Sequence, residues 1–222
     1  MEQATLGIAV FTTVMGVLAT LLALPAGIAA AWVLARRTFP GKAVAETLLA
    51  MPLVLPPVAT GFLLLQLLGR NSFVGRAFDS LGVPIVFTWK AVVIAMAVMS
   101  FPLIVLTVRA GLEQVDRRYE QVAATLGAGP WRVFLTITLP LAARSVVAAA
   151  ILGFARALGE FGATIVIAGG IPGQTQTLAV AIFNLTEAGR DAEANRLLLV
   201  SLALAFAAML VANVVQRRRP IA

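Results

Sequence analysis

The chain has 222 residues, of which 60% are hydrophobic and only 12% charged, and its mean hydropathy is +0.97. Soluble domains carry about 25% charged residues, so this composition indicates an integral membrane protein. The absence of cysteine and histidine excludes disulfides, thiol and imidazole catalysis, and the usual transition-metal ligands. The net charge is +7. Because the basic residues lie between apolar segments, they favour a role in membrane topology over nucleic-acid binding.

Five segments are apolar and long enough to cross a bilayer, which takes about 20 residues per helix. In chain order they are residues 8–35, 46–69, 86–108, 143–168 and 197–216. The second contains Pro52, Pro56 and Pro57, which remove backbone donors and predict a kink, and the third carries Pro102 near its end. Residues 174–188 predict a short helix that dips into the membrane. The expected fold is an all-α integral membrane protein with five transmembrane helices, or six if that short helix is counted.

Lysine and arginine are unequally divided between the two sides that five spans create. The side that begins with the loop after the first span receives 11, the other side receives five, and Arg156 falls inside the fourth span. Basic residues accumulate on the cytoplasmic side of membrane proteins. The sequence therefore predicts a multi-pass protein with its N-terminus outside and its C-terminus in the cytoplasm.

The longest segment predicted on the cytoplasmic side is RAGLEQVDRRYEQVAATLGAGPWRVFLTITLPLAAR, residues 109–144. Its first part, about 112–126, has apolar residues at helical spacing and charged residues on the opposite face. Gly127 is suited to end this helix, and Pro130 to start a second one that ends at Pro140. Periodicity alone is equally compatible with an amphipathic helix at the membrane interface. The residues of the apolar face are Leu112, Val115, Tyr119, Val122 and Leu126.

The second half of this segment has a specific spacing: Gly127, nine residues, Ile137, one residue, then Leu139 and Pro140. In this spacing it resembles the cytoplasmic motif of binding-protein-dependent ABC importer permeases, in which EAA stands three residues before the glycine. Here the EAA position reads QVA, residues 121–123, so the family's glutamate is replaced by glutamine and its first alanine by valine.

The resemblance implies that this short helix docks in a groove of a cytoplasmic ATPase subunit, which its small residues allow it to approach closely. The chain has no G-x-x-x-x-G-K-[ST] phosphate loop, so ATP and Mg²⁺ are expected on a separate polypeptide. The chain itself is expected to be a pore-forming subunit with no catalytic residue, no metal and no cofactor. Within the coupling segment 112–140, the expected ATPase-coupling residues are Gln121, Val122, Ala123, Ala124, Leu126, Gly127, Ala128, Gly129, Pro130, Ile137, Leu139 and Pro140.

Three further stretches are similar to molybdate and tungstate permeases: MPLVLPPVATGFLLL (51–65), MSFPL (99–103) and FARALGEFGATIVIAGGIPGQTQTLAVAIF (154–183). Sulfate permeases share the theme of an arginine, Gly-Glu, an aromatic residue and a glycine, and a sulfate importer is the alternative. The resemblance covers residues 8–216, as a single transmembrane domain with the ABC importer permease fold. It implies an inner-membrane location, a homodimer of two permease copies, contact with lipid, and an extracytoplasmic oxyanion-binding protein.

Arg156 and Glu160 are ionisable residues inside the fourth span, four positions apart, where they can pair on one helix. Charges within a membrane are costly and are candidates for function. A dense cationic lining would hold a dianion too tightly to release it, so a single arginine suits a transport path. The alternative is a neutralised pair that fixes helix packing, and the nearby glycines are expected mainly to pack helices closely. The translocation or gate candidates are Arg156, Glu160, Gly159, Gly162, Ser100 and Pro102.

The sequence also bears on two other protein classes. A membrane-embedded enzyme would need a catalytic constellation within the spans, and Arg156, Glu160 and scattered serines or threonines do not supply one. A channel or scaffold without an ATPase is the second alternative, and the motif at residues 121–140 argues against it.

Overall fold

The computed structural model describes residues 2–217, and every regular element in that range is helical. Arg218 and Arg219, which the charge count above includes, lie outside the described residues. The helices are α1 (Glu2–Arg36), α2 (Lys42–Val54), α3 (Pro57–Leu68), α4 (Phe73–Ser80), α5 (Trp89–Glu113), α6 (Arg117–Thr125), α7 (Pro130–Leu141), α8 (Ala143–Leu158), α9 (Gly162–Ala168), α10 (Leu178–Glu187) and α11 (Asp191–Arg217).

Three of these helices, α1, α5 and α11, are each long and apolar enough to cross a membrane. Two pairs, α2 with α3 and α7 with α8, pass the same test together and are bent by 112° and 72°. The described residues therefore supply three spans, or five when each bent pair is counted as one. This agrees with the all-helical membrane fold expected from the sequence.

The second span is broken, so the expectation of one kinked helix over 46–69 is wrong. Pro52 is accommodated inside α2, but the helix ends at Val54 and Pro56 has an extended conformation, with ψ of 134°. Two consecutive prolines remove two adjacent backbone donors, and the residue before a proline is driven out of the helical region. Pro57 then occupies the first turn of α3, where a missing N–H has no cost.

The fourth span is also broken, so the expectation of a continuous helix over 143–168 is wrong. Helix α8 ends at Leu158, and α9 begins at Gly162. Between them, the carboxylate of Glu160 accepts a hydrogen bond from the amide of Ala163 (2.9 Å), so it satisfies a donor in the first turn of α9. A side chain used in this way starts a new helix and does not continue the old one.

Helix α5 is the centre of the bundle and runs 11 residues beyond Pro102, to Glu113. Ile104 of α5 is fully buried and lies between two glycines on neighbouring helices. A Cβ added at Gly27 of α1, or at Gly153 of α8, would stand 2.7 Å from the Ile104 side chain. The absence of a side chain at both positions lets α1 and α8 pack directly against α5.

Residues 174–188 form a short helix, as predicted, and α10 spans ten of them. At about 1.5 Å per residue, α10 is about 15 Å long, half the thickness of the hydrocarbon core. Its first amide, that of Leu178, donates to the hydroxyl of Thr12 in α1 (2.9 Å). It is anchored on α1 and is too short to be a sixth span.

Candidate functional site: the coupling segment and the charged helix break

The coupling segment folds into two short helices at the end of the bundle where α1 and α5 terminate, here called the basic end. Asp116 caps α6 by accepting from the amide of Arg118 (2.9 Å). Gly127 has φ of 82°, which favours glycine, and stops the helix, while Pro130 begins α7 in its first turn. Both predicted boundaries are confirmed. The first helix, however, begins at Arg117 and not near residue 112, because α5 continues to Glu113.

The apolar face predicted for residues 112–126 divides into two groups. Leu112 and Val115 are buried at the end of α5 and in the turn that follows it. Tyr119, Val122 and Leu126 point outwards from α6 and are 59%, 60% and 83% exposed. Three large apolar side chains on one exposed face of a short helix form a surface suited to a protein partner.

The other expected coupling residues lie in α6, in the loop that follows it and in α7, and most of them are exposed. Ala123 is the exception, because it is buried against its own chain and is not available to a partner. Ile137 and Leu139 are half-buried in α7, where Phe134–Thr138 form a π-helical turn. The exposed members of the set are Gln121, Val122, Ala124, Leu126, Gly127, Gly129, Pro130 and Pro140, and Ala128 is half-buried.

Glu120 is a functional candidate that the sequence pattern did not reveal. Its carboxylate pairs with Arg36 at the end of α1 (2.9 Å to Nη2) and accepts from the hydroxyl of Thr138 in α7 (2.8 Å). The sequence offers only the presence of a glutamate next to Gln121, on what periodicity assigns to the polar face. Its partners lie 84 and 18 positions away in the chain.

A cleft of about 310 Å³ lies beside Glu120, between α1, α6 and α7. The Trp32 and Phe134 rings pack against each other on one side of it, tilted by 55° with centroids 5.4 Å apart, and the Arg37 guanidinium lies 5.7 Å from the Trp32 ring. Arg117 donates to the carbonyl of Ala35 (3.3 Å). These contacts attach α6 and α7 to the end of α1.

The charged pair predicted in the fourth span is formed. Arg156 Nη1 lies 2.9 Å from Glu160 Oε2, and Glu160 is 1% exposed, whereas the Arg156 side chain is 28% exposed. Glu160 therefore binds both Arg156 and the amide of Ala163, and holds the guanidinium at the break between α8 and α9. The other N–H groups of Arg156 make no hydrogen bond to residues within 2–217.

The two predicted spans that are interrupted, 46–69 (now α2 and α3) and 143–168 (now α8 and α9), contact each other close to their interruptions. A Cβ at Gly61 of α3 would stand 2.7 Å from the Cα of Ala163, and one at Gly162 of α9 would stand 2.8 Å from Pro57. By contrast, a Cβ at Gly159 would meet only one backbone atom, 3.9 Å away. The expectation of close packing holds for Gly162, whereas Gly159 lies at the break itself and packs against nothing.

Ser100 and Pro102 both lie buried inside α5. The Ser100 hydroxyl donates to the carbonyl of Met96 (2.7 Å), and that of Thr107 donates to the carbonyl of Leu103 (2.8 Å). Both hydroxyls thus satisfy carbonyls of their own helix. In the residues that the structure describes, no three acidic groups come together in a way that could hold a metal ion.

Comparison with known proteins places this geometry in a family. A permease from Escherichia coli strain K12 named "Molybdenum transport system permease protein ModB" is 50% identical over 198 residues, which is 88% of this chain and 86% of the relative. The "Sulfate transport system permease protein CysT" of the same strain is 38% identical over 157 residues, 71% of this chain and 57% of that one.

A solved bacterial alginate ABC transporter, in complex with a pentasaccharide-bound periplasmic protein, shares the fold with a TM-score of 0.68 and 16% identity. The alignment covers 96% of this chain and 78% of that one. The family model described as "Binding-protein-dependent transport system inner membrane component" matches residues 23–218. This chain, with its broken spans and its coupling segment at the basic end, belongs to that family of inner membrane components.

Proposed function

We propose that this chain is the membrane permease subunit of an ATP-driven importer that carries molybdate, or the related tungstate, into the cytoplasm. The observation that carries the proposal is the 50% sequence identity to the Escherichia coli molybdenum permease, over 88% of this chain and 86% of that one. The sulfate permease is less similar and matches a shorter stretch. It nevertheless favours sulfate import as the second candidate, because both oxyanions are tetrahedral dianions.

ATP hydrolysis belongs, in this proposal, to a separate ATPase subunit that docks on the outer face of α6. The exposed Tyr119, Val122 and Leu126 provide the apolar contact, and the small residues at 124 and 127–129 allow the partner to approach the backbone. Docking there assigns the basic end to the cytoplasm, in agreement with the excess of basic residues on that side.

Two copies of the chain and an extracytoplasmic binding protein complete the proposed transporter. Five spans enclose little space by themselves, and two-fold pairing is the commonest way in which identical subunits assemble. The related alginate transporter was solved with its periplasmic protein bound, which supports a corresponding partner here. That binding protein selects the oxyanion, and the permease provides a path from which the anion is readily released.

Arg156 is the residue we propose to meet the anion on this path. Its guanidinium is partly exposed and has N–H groups to spare, and the paired carboxylate of Glu160 lowers the attraction that an isolated cation would exert on an anion. A weakly attractive site speeds passage, whereas a strongly attractive one would trap a dianion.

Transport by the reconstituted complex tests the proposal directly. Proteoliposomes containing this chain, its ATPase and the binding protein should accumulate labelled molybdate only with ATP. Excess tungstate should abolish the uptake, and an equal concentration of sulfate should leave it nearly unchanged. Strong inhibition by sulfate would replace molybdate with the second candidate, and uptake without ATPase or ATP would refute the importer altogether.

A further inference from the structure

Glu120 connects three separate helices through a single oxygen atom. Its Oε1 accepts from Arg36 Nε (3.0 Å) and pairs with Arg36 Nη2 (2.9 Å), and it also accepts from Thr138 Oγ1 (2.8 Å). Arg36 is the last residue of α1, and Thr138 lies in the π-helical turn of α7. Arg36 also donates to the carbonyl of Val115, in the turn that precedes α6 (3.2 Å).

This cluster is shielded from solvent, unlike an ordinary surface ion pair. The Arg36 side chain is 8% exposed, that of Glu120 is 21% exposed, and Thr138 is 1% exposed. Shielded pairs are screened little by salt, and hydrogen bonds to a charged group are the stronger kind. The cluster therefore holds α6 in a fixed position relative to α1.

Glu120 points away from the surface on which the ATPase is proposed to dock. The docking residues Tyr119, Val122 and Leu126 lie on the outer face of α6, while Glu120 and Ala123 face the bundle. Without this cluster, α6 would be joined to the spans by the turn at residues 114–116, by the loop at residues 126–129 and by the longer hydrogen bond from Arg117 to the neutral carbonyl of Ala35 (3.3 Å). These connections would transmit a displacement less efficiently than the charged cluster does.

We propose that Glu120 is a positioning residue that makes α6 and the basic end of α1 move as one body. A displacement of α6 by the ATPase then reaches the first span through Arg36, and reaches α7 and α8 through Thr138. This inference rests on the proposed function, because it requires an ATPase that moves α6. It assigns Glu120 to the transmission of movement and not to docking.

The first test compares two alanine variants in proteoliposomes that contain the whole complex. Glu120→Ala removes the link, whereas Glu113→Ala is the matched control. Glu113 pairs with Arg109 at 2.7 Å at the same end of the bundle, and both residues lie on α5. The link from Arg109 to Glu46 of α2 (2.9 Å) does not involve Glu113, so it remains in the control variant. Glu120→Ala should leave ATPase binding and ATP hydrolysis intact and lower the molybdate taken up per ATP by about fivefold, the lower end of ordinary coupling between sites. Glu113→Ala should leave that ratio unchanged.

The second test restores the link by a chemical cross-link between two introduced cysteines. Because the chain has no cysteine of its own, the introduced thiols are the only ones on it. The double variant Arg36→Cys/Glu120→Cys removes both charges together, so no unpaired charge remains buried. It should show the low uptake per ATP, and a short, flexible bis-methanethiosulfonate that joins the two thiols should restore the ratio. The wild-type complex treated with the same reagent controls for reaction with the partner subunits.

The outcomes separate this inference from the function on which it rests. An unchanged ratio in Glu120→Ala, or a cross-linked double variant that stays uncoupled, overturns the role of Glu120 while the importer stands. Loss of the ATPase from purified Glu120→Ala complexes also overturns it, since that result would make Glu120 a docking residue. A wild-type complex that takes up no molybdate overturns the proposed function and the inference together.

Discussion

At the scale of single residues, the buried charge of Glu160 in the fourth span is neutralised by Arg156. Glu160 is almost fully buried and depends on Arg156 and on the amide of Ala163 for its compensation. Removing one partner of a buried ion pair typically costs about 3–5 kcal/mol, because the remaining charge is left uncompensated. A role of Arg156 in transport must therefore be tested without exposing the complex to that cost.

Two variants make this separation possible. Arg156→Gln should lower the yield of assembled complex, because Glu160 keeps its charge and loses its partner. Arg156→Gln/Glu160→Gln should restore the yield, since a glutamine can still accept from the amide of Ala163. If Arg156 meets the anion, uptake by the restored complex should stay reduced by about tenfold or more, because a hydrogen bond to a charged group is worth about 1.5–3 kcal/mol and about 1.4 kcal/mol is a factor of ten. Yield by size-exclusion chromatography and uptake per complex are the measurements.

Normal uptake by the double variant would mean that the pair serves only to pack the helices.

The sequence predicts the contacts of Arg156 but not those of Glu120. The pair at 156 and 160 was predictable because both residues lie on one local pattern. The contacts of Glu120 were not, because Arg36 and Thr138 approach it only when α1 and α7 have packed around α6.

At the scale of elements, the two broken spans differ in how clearly the sequence marks them. Three prolines predict a kink in the second span, but they do not predict a break that bends the chain by 112° between two separate helices. The break at residues 159–161 had only a glycine and a glutamate as local signals, and both also occur in continuous membrane helices. What decides the matter is tertiary: Glu160 caps α9, and α9 packs on α3 through Gly61 and Gly162.

The crossing of α3 and α9 predicts unequal effects for two neighbouring glycines. Gly162→Ala would bring a methyl group within 3.1 Å of the Val58 amide and 2.8 Å of Pro57, so the two helices must separate. Overpacking of this kind costs about 1–3 kcal/mol and should lower the Tm of the purified protein by about 2 °C or more. Gly159→Ala, in open space, is the control and should leave the Tm unchanged. Equal Tm values for the two variants would contradict the packing described here.

At the scale of the whole molecule, burial separates an interior helix from peripheral ones. In its most apolar stretch, α5 is 67% buried, whereas α1 is 33% and α11 only 17% buried. The exposed apolar side chains of α11 include Leu199, Leu202 and Phe206. Such a surface is stable in a lipid environment, and it accounts for the high hydropathy of the chain without a large internal core.

The proposed orientation of the whole molecule predicts which residues a membrane-impermeant maleimide can reach. Asn71 lies between α3 and α4, and Gln121 lies in α6, and both are exposed. In intact cells, Asn71→Cys should be labelled, whereas Gln121→Cys should be labelled only after permeabilisation. The cysteine-free parent chain gives the background. The reverse pattern would place the N-terminus in the cytoplasm and remove α6 from the reach of an ATPase.

The contact between the breaks of the two interrupted spans limits how the protein can change shape. Two independent interruptions would give a bundle two joints, each free to bend by itself. Here Ala163 rests on the backbone of α3 at Gly61, and Pro57 rests on α9 at Gly162, with no room for a methyl group at either point. This tight contact couples the segments beyond the breaks. An opening on the side of the membrane that they face moves both spans together as long as the contact is kept, and a half-open form in which only one has moved must give up the packing at Gly61 and Gly162.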